Sequence, residues 1–413
     1  MSDAALAAAI LIGWSMPVNR SAPGPLAGLR VVDLGRIFAG PFCAQLLGDL
    51  GADVIKVEGA EGDRLRNSPP SFAPDIGGYF ATANRNKRSL RVDLRKPGAR
   101  TILDALLARA DVLVENFRPG VLEGLGLDEA RLARDFPRLV AVRVSAYGHA
   151  GPDRDLPGVD QMIQGVGGFM AITGAPETGP VRAGIAIADA LAGYAACVGA
   201  LAALAERATS GRGQVVRTSL LEALMGTMSV QAGKYFASGV DPVPEGNFHP
   251  VTALYGTFAT ADGHVQIYVS EDARMERFAR LCGRPEWLAD PKLVPQKARD
   301  TNRDYARGLV ATVMKTRTTA AWIAALKAAD IPCGPIYSVA EAFAAPQAQA
   351  MGMTLEAPLA KGGNVRVPGF PVKLARTPPA LRRAPPHLGQ HNEEILKELG
   401  LDADPAARAA LIA

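Results

Sequence analysis

Residues 29–58 constrain this chain more than any other stretch. Residues 29–35 read LRVVDLG, a valine-rich apolar run closing on Asp33 and Gly35. That is the pattern of a strand buried on both faces of a parallel sheet. Gly40 and Pro41 then open a segment whose apolar residues Phe42, Leu46, Leu47 and Leu50 fall at helical spacing. Gly51 closes it, and residues 53–58 (DVIKVE) read as a second strand. A strand, a helix and a strand within about thirty residues make a βαβ unit.

The rhythm recurs. Strands are expected at 89–94, 111–115 and 139–145, and helices at 98–109 and 128–135. Alternating elements of this kind imply a doubly wound parallel α/β sheet. Residues 184–207 form an alanine-rich helix. After Gly211 the character changes: a helix is expected at 220–236, then a loop, Gly246 to Pro250. A hairpin follows at 255–260 and 265–269, turning on Asp262-Gly263. Helices are expected at 271–282 and 301–329, and a loop-rich, proline-bearing stretch runs from Ile331 to the end. The resulting division is an N-terminal extension (1–24), a large domain (25–220), a small α+β domain (221–335) and a C-terminal return to the large domain (336–413).

Composition narrows the function classes. The chain of 413 residues carries a formal charge of only +4 with no basic block, so nucleic acid is not an expected partner. Four cysteines stand far apart with no C-x-x-C pair, which argues against a disulfide scaffold or zinc ribbon and fits a reducing compartment, the cytoplasm. The apolar run 4–14 is too short to span a bilayer and no Lys or Arg precedes it, so neither a membrane anchor nor a secretory signal is expected.

The turn from Gly35 to Gly40 lacks G-x-G-x-x-G, and no Walker pattern occurs anywhere. Such a turn before a helix still fits a phosphate held by backbone N–H groups, or simply a tight turn needed for packing. Among the five histidines only His387 and His391 approach ligand spacing. In their proline-flanked loop they read as solvated side chains, so no metal is expected. G-x-S-x-G is absent, and Cys333 reads as a small apolar residue. Carboxylates remain. Asp153, Asp155 and Asp160 stand in one polar loop, Glu177 in another, and Asp189 interrupts the apolar run IAIADALAGY. Each is a candidate catalytic carboxylate, with capping and solvation the alternatives.

Several strings, in order, resemble one family: PLAGLRVVDL from Pro25, AGP from Ala39, GDLGADVIKVE from Gly48, NRNKRS from Asn84, VENFRPG from Val114, TSGRGQVV from Thr209 and IPCGP from Ile331. Their order and spacing resemble the class III CoA-transferases, the family of formyl-CoA and carnitine CoA-transferases, which also contains α-methylacyl-CoA racemase. The resemblance covers about residues 25–400. It implies a Rossmann-like large domain built from both chain ends, a smaller central domain, and a homodimer whose chains interlock like links.

The resemblance also implies a reaction. CoA is expected to move from an acyl-CoA, such as succinyl-CoA or a similar dicarboxyl-CoA, to a free carboxylic acid through a covalent enzyme carboxylate, with no tightly bound cofactor and the CoA thioester as substrate. CoA-contacting positions map to Arg36, Ile37, Phe38 and Ala39, to Asn84, Arg85, Lys87 and Arg88, and to Asn116 and Phe117. Phe38 stands where formyl-CoA transferase has glutamine, and Gly59 where it has arginine. Counting through the family's loop places Glu177, one methylene longer than the family's aspartate, as nucleophile, with Asp160 as the substitute. Asp189 matches the racemase aspartate, but Val159 replaces the histidine that pairs with it, and valine exchanges no proton. Racemisation and an inert CoA-binding subunit are therefore the alternatives. Arg182, Arg217 and the His249 loop are candidates for a distal carboxylate.

Overall fold

The computed structural model describes residues 23–412; of the expected N-terminal extension, all but Pro23 and Gly24 lie outside the described residues. One parallel sheet contains β1 (Arg30–Asp33), β2 (Asp53–Glu58), β3 (Lys87–Arg91), β4 (Val112–Glu115), β5 (Val140–Ser145) and β6 (Val215–Ser219). Its spatial order is β3-β2-β1-β4-β5-β6, with every neighbouring pair parallel. That is the doubly wound order, with its topological switch point between β1 and β4. β6 (VVRTS) runs directly into a helix, so nothing in its pattern announces it; the open edge of β5 makes it a strand.

Side-chain alternation explains why the apolar runs are unbroken. Val31, Val54, Val112, Val114, Val140 and Val142 share one core with helices α1 (Ala39–Asp49) and, further on, Ile187–Ser210. Their neighbours Val32, Ile55, Val57, Leu113 and Ala141 face the other way. Helix α2 (Gly78–Asn84) follows β2, and α3 (Pro97–Leu107) packs on this second face through Ile102, Leu103 and Leu106. Next come α4 (Asp160–Val166) and α5 (Ile187–Ser210), the latter ended by Gly211 in the left-handed region at φ 73°. Far down the chain, α6 (Asn392–Leu399) returns Ile395, Leu396 and Leu399 to the second core.

Contacts divide the chain into two units. The first holds the residues up to Phe169, together with Ala183–Ser229 and Phe343–Ala413; the second holds Met170–Arg182 and Val230–Ala342. Residues 170–182, within the stretch expected in the large domain, thus group with the second unit. There, β7 (Tyr255–Ala259) and β8 (His264–Tyr268) form the expected hairpin, and β9 (Cys333–Pro335) adds a third antiparallel strand. Phe258, Val265, Ile267, Phe278 and Trp322 fill its core.

Several expected elements are cut shorter. The helix expected at 220–236 is two, Leu220–Gly226 and Ser229–Ser238. The one expected at 301–329 breaks between Arg303–Met314 and Thr319–Ala328, where the Thr318 hydroxyl accepts from the Ala321 amide and starts a new helix. The C-terminal loop-rich stretch contains a hairpin, β10 (Thr354–Pro358) and β11 (Asn364–Pro368), whose Leu355, Ala357, Val365 and Val367 alternate inward. His387 and His391, expected in solvent, are buried: His387 bonds Asp75 at 2.6 Å, and Nδ1 of His391 accepts from the Ser89 amide.

Candidate functional site

In an open parallel sheet the crevice for a ligand lies past the carboxyl ends of the strands at the switch point. Here that is the turn after β1, held from the end of β4. The Arg36 amide donates to Oδ1 of Asn116 at 2.7 Å, and Nδ2 of Asn116 donates back to the Arg36 carbonyl at 2.8 Å. The Arg36 guanidinium lies 5.8 Å from the Phe117 ring centre. Gly40 sits so close to Asn116 that a Cβ there would meet its side chain at 3.2 Å. Ile37 adopts φ 64°, a left-handed conformation unusual for a β-branched residue, and its amide donates to Asp63 at 3.0 Å. Strained backbone of this kind clusters at ligand sites. Arg36 and Ile37 are exposed, Phe38 half-buried and Ala39 buried.

The remaining basic residues of the expected CoA set lie inside the fold. Asn84, Arg85, Lys87 and Arg88 are all buried. Lys87 donates to Asp33 at 2.8 Å, to the Pro41 carbonyl and to Asn84. Arg85 forks onto Asp49, and Arg88 joins Asp53, Glu394 and Glu398. Their charges are neutralised within the protein, so they brace the sheet ends instead of offering cations to a ligand. Burial lowers the Lys87 ammonium to about 8.

Two candidate carboxylates meet at the other end of this turn. Asp189 lies in the first turn of α5, and the Ala39 backbone N–H, at the first turn of α1, donates to its carboxylate. Asp160 starts α4, and its Oδ1 accepts from the amides of Ala188 (2.8 Å) and Asp189 (3.3 Å). Its Oδ2 accepts from Nε2 of Gln164 at 2.6 Å. Burial and the Asp160 charge push Asp189 up to about 7, against the Ala39 amide. An aromatic wall stands alongside: Phe38 stacks on Phe42 at 5.1 Å and leans on Tyr79, and Tyr194 meets Phe42 edge-on. Burial and the charges of Asp189 and Asp160 push Tyr79 up to about 12, which places that phenol within their field.

Glu177 belongs to the second unit and is exposed. It is the third residue of the Ala175–Thr178 turn, closed by the Thr178 amide on the Ala175 carbonyl. Its carboxylate has no hydrogen-bond or ion-pair partner among the described residues. Asp153 and Asp155 are exposed, and so is Val159, which precedes α4. Arg217 pairs with Glu129. In the second unit the His249 ring stacks on Tyr255 and accepts two backbone amides at Nδ1. Among the described residues, no group of three or more His, Cys, Asp or Glu is placed to hold a metal. Sequence reasoning missed Ala39 as a donor to Asp189, and Gln164 and Tyr79 beside it. Only Gln164 left a trace, one helical turn after Asp160.

A family model described as CoA-transferase family III matches residues 26–392. A succinate–glutarate CoA-transferase of Agrobacterium fabrum is 35% identical over 91% of this chain and 96% of its own length. A succinyl-CoA–D-citramalate CoA-transferase of Chloroflexus aurantiacus is 35% identical over 93% of this chain and 96% of its own. The crystal structure of a CaiB/BaiF family protein from Brucella suis superposes with a TM-score of 0.83 at 37% identity, covering 91% of this chain and all of the other.

Proposed function

The chain belongs to CoA-transferase family III and transfers CoA between an acyl-CoA and a carboxylic acid; we propose that Asp189, not Glu177, carries the acyl group and then CoA. The supporting observation is the position of its carboxylate, in the first turn of α5 with a donor N–H at the first turn of α1. Helix N-termini stabilise negative charge. Glu177, exposed on a turn, has no comparable surroundings.

The ionised Asp189 oxygen attacks the thioester carbon; the C–S bond breaks and its electron pair leaves on sulfur, giving a mixed anhydride and CoA thiolate. The thiolate attacks Cγ of Asp189, the donor acid departs as carboxylate, and an aspartyl-CoA thioester remains. An acceptor carboxylate attacks that thioester and releases thiolate again. Thiolate attack on the acceptor's acyl carbon then yields the new acyl-CoA and frees Asp189. The Ala39 N–H is placed to stabilise the oxyanion formed on Cγ. CoA lies along the crevice from Arg36 to Phe117, with the aromatic wall of Phe38 and Tyr79 beside the reacting carbons.

Succinyl-CoA is the donor and a small dicarboxylic acid the acceptor, as suggested by relatives named for succinyl-CoA with glutarate, D-citramalate or mesaconate. A second copy of the chain completes the assembly. Only 39% of the most apolar stretch of α5 is buried, and Val198, Ile185, Met162 and Val166 are more than half exposed, a surface suited to a partner. Four free thiols fit the cytoplasm.

The test is to incubate the protein with succinyl-CoA, reduce or trap the thioester, and map it by peptide mass spectrometry. The adduct is expected on Asp189; an adduct on Glu177 overturns the assignment.

A further inference from the structure

We propose that Asp160 and Gln164 form a positioning clamp for Asp189, fixing the chain segment that carries it and setting its electrostatic environment, a role that rests on Asp189 being the acyl-carrying residue. Asp160 and Gln164 stand one turn apart on α4. Oδ1 of Asp160 holds the amides of Ala188 and Asp189, and its Oδ2 takes the Gln164 side-chain N–H. Oε1 of Gln164, a fully buried residue, accepts from the Ala183 amide at 2.8 Å. Two side chains thus grip both ends of the segment leading into α5. With three donors on its two oxygens, Asp160 serves as a brace and not as a nucleophile.

The clamp has an electrostatic side. A carboxylate on the first amides of α5 offsets the positive end of that helix, which otherwise favours an ionised Asp189. It also places a like charge beside Asp189, which disfavours ionisation. Among the described residues, the groups facing Asp189 are the Asp160 carboxylate, the Tyr79 phenol and the Ala39 amide, and no Lys or Arg acts on it. Asp189 is therefore kept more basic, and a better nucleophile once ionised, than a solvated aspartate. A cation in place of Asp160 would ionise Asp189 fully while weakening its attack.

The test uses identity exchange between an acyl-CoA and its own isotope-labelled acid, so the acceptor need not be known, with kcat and KM measured from pH 5.5 to 9. Asp160→Asn keeps an acceptor for both amides but removes the charge. Its acidic limb is expected to move down by about one pH unit with KM unchanged. Asp160→Ala and Gln164→Leu lose the grip, and kcat is expected to fall at least tenfold while KM for acyl-CoA stays within twofold. Melting curves identify any variant that fails to fold, and Asp160→Asn is the nearly isosteric variant that keeps the question open in that case. An unmoved limb in Asp160→Asn, with Asp189→Asn inactive, overturns the clamp and leaves the nucleophile standing. An active Asp189→Asn overturns both.

Discussion

A carboxylate attacks only as its anion. With Asp189 held near 7 by burial and by Asp160, the ionised fraction grows through neutrality. The acidic limb of kcat/KM is therefore expected to rise about tenfold per pH unit below 7 and level off above 8, as a pH–rate profile reads. Asp189→Asn should lower turnover by at least about 10³-fold, whereas Glu177→Gln should leave it unchanged. The same shift acts on stability. A folded value above the unfolded 3.8 gives a contribution that is complete below that value and lost as pH rises through about 7. Asp189→Asn escapes this loss, so calorimetry should find it melting above the wild type at pH 8, with the gap closing toward pH 4. Glu58 has the opposite sign. Burial pushes it up, but its hydrogen bonds and charge contact with Arg66 bring it down to about 2. Its stabilisation is present above pH 4.5 and fades as pH falls toward 2, a loss that Glu58→Gln should flatten in acid melts.

Elements bring these residues together by close approach. α5 crosses α1 at Gly193, where a Cβ would meet the Phe42 ring at 2.8 Å and the Ala39 carbonyl at 3.0 Å. The absent side chain lets the Ala39 amide reach Asp189. Gly193→Val is expected to cost about 1–3 kcal/mol in denaturant titrations, and to depress kcat more than it raises KM. An unaffected kcat would separate the helix crossing from catalysis. The turn between β1 and α1 was legible in the glycines and apolar spacing of residues 35–50. The N–H that Ala39 offers was not, because every residue but proline carries one and only packing decides where it points.

At the scale of the molecule, the first unit is closed by chain from both ends. Ile395, Leu396, Ala407 and Ala410 fill the same core as Val57 and Leu90, and Arg88 of β3 bonds Glu394 and Glu398 of α6. Removing residues 387–413 should leave that sheet face bare and abolish soluble, cooperatively melting protein, although no proposed reacting group is lost. The family resemblance anticipated this return of the C-terminus. The hairpin of β10 and β11 was readable too, in the alternation on either side of Gly362-Gly363, but the surrounding prolines masked it.

Local pattern determined five of the six sheet strands and the main crossover helices, because the spacing of apolar residues is a property of near neighbours; the family was legible in seven ordered strings, and β6 only in the pairing edge of β5. It also offered candidate carboxylates, and the family resemblance added the basic run at 84–88. What surrounds each of them is set only by tertiary structure. Asn84, Arg85, Lys87 and Arg88 look like anion binders in sequence, yet the protein's own carboxylates take up the three cations, buried Asp49 and Asp33 for Arg85 and Lys87 and partly exposed Asp53 for Arg88, and Asn84 bonds Lys87 and the Phe80 carbonyl. Asp189 looks like an interruption in an apolar helix, yet it meets an amide from a distant turn and a second aspartate. Charge state and reactivity depend on what surrounds a group in space, and those surroundings come from segments far apart in the chain.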